Sequence, residues 1–263
     1  MADGLLASDM DRTLLPNGLQ AAEAGALERF RQWAARREAT RLAYVTGRHR
    51  ALARSVMADY ALPEPDWLIA NVGTEIYPHQ AVEPLPAWRQ ALARDFDADA
   101  VRTWAEEALP EALLQEAAKQ SPLKVSYYTA GEADPDALAS RLRAGLAAAE
   151  LRARVVVSYD ETTDRGLVDF LAPGSGKARA LAFLRRHLGL APAAVLFAGD
   201  SGNDADALLS GICGVLVGNA TAAVRDRLRA ALADHPEARL YLADRPYTAG
   251  ILEGMAHYGW EGG

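Results

Sequence analysis

The sequence predicts an α/β protein, a doubly wound parallel sheet with a smaller α+β domain inserted into it. Three observations carry this. Apolar runs of strand length alternate with amphipathic helical stretches near both ends of the chain. Several of those runs end in acidic, hydroxyl or glycine residues, the chemistry found where open parallel sheets bind ligands. Between the two halves, from about residue 80 to 170, prolines punctuate the chain and the alternation changes character.

Residues 5–10 read as the first strand, running straight into Asp9 and Asp11. Residues 17–38 read as an amphipathic helix with Leu19, Ala22, Leu27, Phe30 and Trp33 as core positions. A strand at 42–45 ends in Thr46-Gly47-Arg48, a helix spans 49–60, and a third strand at 67–72 is followed by Gly73-Thr74-Glu75. The insert then shows helical stretches near 87–96 and 98–117, a strand at 124–129, a helix at 134–149, and strands at 154–159 and 166–171. The α/β alternation returns with a helix at 176–188, a strand at 194–198 ending at Gly199-Asp200, a short helix, a strand at 214–217, a helix at 221–233, a strand at 240–242 and a last helix at 248–258. The domain boundaries expected from this pattern are 1–79 with 171–263 for the sheet and 80–170 for the insert.

The 263 residues are 50% hydrophobic, ample for a packed core or for a core plus a smaller domain. Twenty-eight Lys and Arg stand against 35 Asp and Glu, so the net charge is −7. With no basic stripe, nucleic acid and anionic membrane are not the expected partners. The single cysteine, Cys213, lies in an apolar stretch and excludes an intrachain disulfide framework, which suits a reducing cytoplasm. No apolar run reaches membrane-spanning length. Only three of the cationic residues are lysines, Lys119, Lys124 and Lys177. In a chain that otherwise uses arginine, these positions draw attention as compact point charges.

Four groups of residues sit at strand exits or helix starts: Asp9 with Asp11, Thr46-Gly47, Lys177, and Asp200-Ser201-Gly202-Asn203-Asp204. A parallel sheet brings such exits to one edge. Their chemistries fit phosphoryl transfer. A carboxylate attacking a phosphate dianion meets like-charge repulsion, so a hard cation such as Mg2+ is required, held by Asp9 and Asp200. The Thr46 hydroxyl and neighbouring N–H groups suit phosphate oxygens, and Lys177 suits charge that spreads in the transition state. Asp11 can protonate a leaving alkoxide and then activate water.

The order DxDxT, hydrophobic-Thr-Gly, Lys, GDxxND resembles the haloacid-dehalogenase-like (HAD) phosphotransferases. The resemblance implies a HAD core with Asp9 as nucleophile. The insert lies between Thr46 and Lys177, which is the place of an α+β cap of the second type in that superfamily. Over nearly the whole chain a closer likeness appears. Val72-Gly73-Thr74-Glu75-Ile76-Tyr77, Lys124-Val125-Ser126-Tyr127, Gly199-Asp200-Ser201-Gly202-Asn203-Asp204 and Ala249-Gly250-Ile251-Leu252-Glu253-Gly254 resemble the sucrose-phosphatase family. Met10 stands where that family often has Leu, and Ser175-Gly176-Lys177 replaces its Ser-Asn-Lys, with the lysine kept.

The resemblance implies a Mg2+-dependent phosphatase acting on sucrose 6-phosphate, with mannosylfructose phosphate and glucosylglycerol phosphate as alternative substrates. Asn203 joins Thr46, Gly47 and Lys177 as phosphate-binding residues, and Asp11 and Asp204 join Asp9 and Asp200 as metal ligands. Arg48, Thr74, Glu75, Gln120, Lys124 and Ser126 are the candidates for the sugar, over which the cap is expected to close. The sugar-phosphate synthase is a possible partner, and a non-catalytic sugar-phosphate-binding subunit is the reading from another class. Asn219, after the strand at 214–217, either supports the site or ends the strand.

Overall fold

Six residues without an exposed side chain, Gly4–Asp9, form strand β1 at the centre of a seven-stranded sheet. The computed structural model describes residues 4–130, 134–160 and 164–260. The chain separates into two units, Met1–Pro84 with Lys177–Gly263, and Leu85–Gly176.

In the first unit β1 is followed by α1 (Ala26–Arg36), β2 (Thr40–Val45), α2 (Arg50–Asp59), β3 (Trp67–Ala70) and β4 (Glu75–Pro78). The second unit holds α3 (Pro86–Ala93), α4 (Ala98–Ala108), β5 (Leu113–Leu114), β6 (Lys124–Thr129), α5 (Pro135–Ala148), β7 (Arg154–Asp160) and β8 (Arg165–Leu171). The first unit resumes with α6 (Lys177–His187), β9 (Val195–Gly199), α7 (Ala205–Leu208), β10 (Cys213–Leu216), α8 (Ala222–Ala231), β11 (Arg239–Leu242) and α9 (Tyr247–His257).

The large sheet runs β11-β10-β9-β1-β2-β3-β4, parallel except for β4. The chain winds outward from β1 to β3 on one side and from β9 to β11 on the other. The topological switch point therefore falls between β1 and β9, where open α/β sheets bind ligands. Register makes this concrete. Asp9 is level with Val45 of β2, and Ser8 with Ala198 of β9. Asp9, Thr46 and Asp200 thus leave three adjacent strands at one level. The second unit carries an antiparallel sheet, β5-β6-β8-β7, over its own core of Val125, Tyr127, Leu138, Leu142, Val168 and Phe170.

The core of the first unit includes Leu6, Met10, Leu14, Leu15, Phe30 and Trp33. Met10, between the two aspartates, is fully buried. This residue needs bulk and no polarity, so a Leu/Met exchange there is tolerable.

Three expectations are corrected. Residues 17–25 are not helical, and Leu19 is 96% exposed, with Ala22 exposed as well. The segment's polar groups are committed elsewhere: the Asn17 side chain bonds Asp11 and Arg12, and Gln20 N–H donates to Tyr247 OH. The helix starts only after Gly25, which sits at φ 75°. The helix expected over 98–117 ends at Ala108, because Pro110 cannot donate to a helical ladder and disfavours helix at the preceding residue. The strand expected over 67–72 ends at Ala70, and residues 75–78, for which no element was expected, return as an antiparallel edge strand. Among the described residues no helix is long and apolar enough to cross a membrane.

The segment Ala249–Gly254 has a packing role. Glu253 accepts hydrogen bonds from Tyr241 OH (2.8 Å) and from the N–H groups of Asp244 and Arg245, closing the turn after β11. A Cβ at Gly254 would overlap the side chain of Val215 on β10. Gly254→Ala is therefore expected to lower stability by about 1–3 kcal/mol through overpacking. Urea denaturation measures this, and an unchanged midpoint would mean that α9 shifts without cost.

Candidate active site

Lys177 opens α6 and carries its ammonium into a group of buried carboxylates. Its Nζ lies 2.9 Å from Asp9 Oδ1 and 3.0 Å from Asp204 Oδ1. Asp9 Oδ1 also accepts the Met10 N–H at 2.8 Å, so one oxygen is fixed and the other is left for chemistry. Asp204 is fully buried. Its Oδ2 accepts from Asp200 N–H and Ser201 N–H (3.2 Å each) and from Ser201 Oγ (3.0 Å). The turn from Asp200 to Asp204 is thereby closed on itself. Asp200 is met by the Thr13 hydroxyl at 3.3 Å and by Arg12 Nε at 3.4 Å.

Oxygens of Asp9, Asp200 and Asp204 all lie within 4.8 Å of one another. Burial, reinforced by Asp204 and Asp200 and only partly offset by Lys177, raises the Asp9 carboxyl well above the usual range. Burial and then Asp204 push Asp200 up to about 6. Burial alone would depress Lys177, but Asp204 and Asp9 outweigh it and hold the ammonium above its ordinary value. Three buried carboxylates gather beside one buried ammonium that bonds two of them, and their oxygens are hard donors. That is the donor set of a hard divalent cation.

Asp11 stands outside this group. Arg48 holds it in a two-pronged pair, Nε to Oδ2 at 2.8 Å and Nη2 to Oδ1 at 2.6 Å, and Asn17 Nδ2 donates to Oδ1 at 2.7 Å. Burial pushes the Asp11 carboxyl up, but Arg48 and Asn17 outweigh it and bring it below the usual range. The structure therefore separates the two aspartates of the DxD pair. Asp9 faces the carboxylates and Lys177, while Asp11, which the sequence reading had also counted as a metal ligand, faces Arg48. Arg48, expected near a sugar, is committed to Asp11.

Thr46 is buried and its Oγ1 accepts the Arg48 N–H at 3.1 Å, which uses a lone pair and not the hydroxyl proton. Gly47 is exposed, and a Cβ built there would meet open space. Asn203 is also exposed, in the 3-10 turn Gly202–Asp204.

This loop is held by a strained neighbour. Asn71 (φ 54°), Val72 (φ 59°) and Gly73 (φ 84°) are successively left-handed. For Asn and Val that costs about 1–2 kcal/mol each. The turn offsets this with Asn71 N–H to Arg48 O (2.8 Å) and Val72 N–H to Thr46 O (3.2 Å). Thr74, expected at the sugar, is buried, and its hydroxyl donates to Asn71 O at 2.9 Å. It serves the turn. Glu75 accepts from Tyr77 OH at 2.9 Å and Asn71 Nδ2 at 3.4 Å, and remains half-buried.

Within the second unit, Lys124 and Ser126 converge on Asp169 of β8, at 3.5 and 2.5 Å. Lys124 is only 4% exposed. Gln120 pairs with the backbone of Ser126 through both ends of its amide, at 2.9 Å each, in the manner of a neighbouring strand. These three sequence candidates therefore form a polar cluster of that unit's sheet. Asp169 was missed, because its pairing with Lys124 and Ser126 follows from the β6–β8 register.

Sequence reasoning also missed Arg12, Asn17 and Tyr247. Asn17 is five residues beyond Arg12, and Tyr247 is far away in sequence. No spacing signal marks either.

Comparison with known proteins places these residues in a wider setting. The family described as Sucrose-6F-phosphate phosphohydrolase matches residues 2–259. Sucrose-phosphatase 1 of Nicotiana tabacum is 32% identical over 97% of the chain. The chain spans 59% of that protein's length, so it is less than two thirds as long as this plant relative. Mannosylfructose-phosphate phosphatase of Agrobacterium fabrum is 31% identical, covering 97% of this chain and 96% of that one. The X-ray structure of the sucrose-phosphatase of Synechocystis sp. PCC6803, in complex with sucrose and phosphate, superposes with a TM-score of 0.81 at 30% identity, covering 98% of this chain and 99% of that one.

Proposed function

The chain belongs to the sucrose-6F-phosphate phosphohydrolase family, HAD-fold hydrolases of phosphoric monoesters, and on that premise we propose that it releases phosphate from sucrose 6-phosphate with Mg2+. The observation that carries the reading is Asp9, fixed through one oxygen by Lys177 and Met10 N–H beside Asp200 and Asp204. In this reading Asp9 Oδ2 attacks phosphorus, the bond to the sugar oxygen breaks, and Asp11, which takes up a proton from solvent as it parts from Arg48, gives that proton to the departing alkoxide. Asp11 then takes a proton from the water that attacks the aspartyl-phosphate, releasing phosphate and restoring Asp9. Lys177 balances charge on the transferring group, and Thr46, Gly47 and Asn203 receive its oxygens. Asp9, Asp200 and Asp204 would hold Mg2+, which supplies a Lewis acid and relieves repulsion between nucleophile and phosphate.

The first unit carries the chemistry in this reading, and the second unit contributes sugar recognition. Glu75 offers a carboxylate to a sugar hydroxyl. The lone buried cysteine, Cys213, is in keeping with a reducing cytoplasm. A second reading, a phosphatase of mannosylfructose phosphate, is favoured by the Agrobacterium relative, which matches this chain over nearly its whole length. Glucosylglycerol phosphate is a further candidate. The intact set Asp9, Asp11, Lys177 and Asp200 speaks against a non-catalytic binding subunit.

Phosphate release from a substrate panel tests these readings. Sucrose 6-phosphate is expected to turn over fastest, with activity lost in EDTA and restored by Mg2+. A preference for mannosylfructose phosphate would move the assignment to the second reading. Equal rates on unrelated hexose phosphates would remove the disaccharide specificity, and no turnover of any of them would remove the phosphatase.

A further inference from the structure

Arg12, the residue after Asp11, is left-handed at φ 59° although it is not glycine. Both of its peptide groups are held by asparagine side chains. Its N–H donates to Asn17 Oδ1 at 2.7 Å, and its carbonyl accepts Asn219 Nδ2 at 2.6 Å. Asn17 continues to Asp11, where its Nδ2 meets Oδ1. Asn219 continues to α9, where its Oδ1 accepts Tyr247 N–H at 2.8 Å. Tyr247 is itself left-handed at φ 52°. The partners leave no choice of amide orientation, because one end of each asparagine faces a donor and the other an acceptor.

Asn219 is 2% exposed, so its two hydrogen bonds do not compete with bulk water. It leaves the sheet just after β10, beyond Gly218. A Cβ at Gly218 would overlap the Asp244 carbonyl, so the loops after β10 and β11 are packed backbone to backbone. The Thr248 hydroxyl donates to Leu14 O at 2.6 Å, and Tyr247 OH reaches Gln20. The start of α9 thus grips the loop that follows Asp11 at several points, and Asn219 is the link that reaches Arg12.

We infer that Asn219 is a positioning residue for the hydrolytic reaction: it holds Arg12 in its left-handed conformation and, through Arg12 N–H and Asn17, sets the Asp11 carboxylate. This rests on the reading of Asp11 as the acid and base. Without the Asn219 donor the Arg12 carbonyl can rotate. Its N–H then leaves Asn17, and Asp11 loses the bond that complements Arg48. A misplaced proton donor slows the chemical step and leaves substrate binding in place.

Asn219→Ala is expected to lower kcat by about 10- to 100-fold with KM within about twofold. Glycine adopts the left-handed conformation without a clamp. In an Arg12→Gly background, Asn219→Ala should therefore cost less than about threefold. Should Asn219→Ala fail to fold, Asn219→Asp takes its place, since it keeps the acceptor for Tyr247 N–H and loses the donor to Arg12. Amide hydrogen exchange is read in parallel and needs no substrate. The Arg12 N–H should exchange at least about tenfold faster in the variant while β1 amides do not change.

Wild-type kcat in the folded variant, an equal loss in both backgrounds, or unchanged Arg12 exchange would each overturn the inference. Failure of the wild-type protein to hydrolyse any sugar phosphate would overturn the proposed reaction instead. The exchange result would then decide alone whether Asn219 clamps Arg12.

Discussion

Asp9→Asn is expected to reduce phosphate release by at least about 10⁴-fold, because an amide cannot form the aspartyl-phosphate. The same change should not cost stability. Burial and the neighbouring Asp204 and Asp200 disfavour the ionised Asp9 in the folded chain despite Lys177. An asparagine keeps the Oδ1 acceptor for Met10 N–H and Lys177 while removing that charge. The urea midpoint measured without Mg2+ should be equal to or above that of the parent. Wild-type-like turnover would remove Asp9 as nucleophile. A large drop in midpoint would show instead that the Asp9 charge is needed to balance Lys177.

Lys177→Met should abolish turnover and, unlike Asp9→Asn, unfold the protein more easily. The ammonium is 9% exposed and bonded to two carboxylates that are 7% and 0% exposed. Its removal leaves Asp9, Asp200 and Asp204 facing one another, with Arg12 beside Asp200 at 3.4 Å. Loss of one partner from such a buried group costs about 3–5 kcal/mol. The sign of the pH dependence follows. A carboxylate whose pKa folding has raised binds its proton more tightly when folded, so stability is regained as pH falls through that value. The deficit should therefore shrink between about pH 8 and about pH 5. Added Mg2+ should also shrink it, by binding the excess carboxylates of the folded state. Denaturation at the two pH values, with and without Mg2+, measures both. An unchanged midpoint would mean that Asp9 and Asp200 are already protonated beside Lys177.

The two variants remove opposite charges from one cluster, and their opposite effects on stability are the point of comparison. A site that places three acids around one lysine is built for a reaction and not for its own folding. The strained Asn71–Gly73 turn against Thr46 and Arg48 has the same character.

Much of the site was legible in the chain. Asp9 and Asp11 follow an apolar run, Thr46-Gly47 another, and Asp200 to Asp204 a third, and parallel pairing brings such ends to one edge. Lys177 stood out as one of three lysines in an arginine-rich chain. Legibility failed where a residue's role depends on a distant partner. Leu19 read as a core position because its spacing is helical, yet hydrogen bonds from Asn17 and Gln20 override the period. The spacing around Lys124 likewise did not contain its carboxylate neighbour, because the register between β6 and β8 is what brings Asp169 beside it.

The sequence alone determined the alternation of strands and helices and the residue types at each strand exit, because periodicity and burial are local properties of the chain. It thereby named the acids, the threonine and the lysine of the site. Only the tertiary structure decided how they are divided. Asp9 joins Asp200, Asp204 and Lys177, Asp11 joins Arg48 and Asn17, and Asn219 reaches across from the end of β10 to the carbonyl of Arg12, the residue after Asp11. Such pairings rest on distances of about three ångströms between residues that can lie two hundred positions apart in the chain, and a spacing pattern does not contain them.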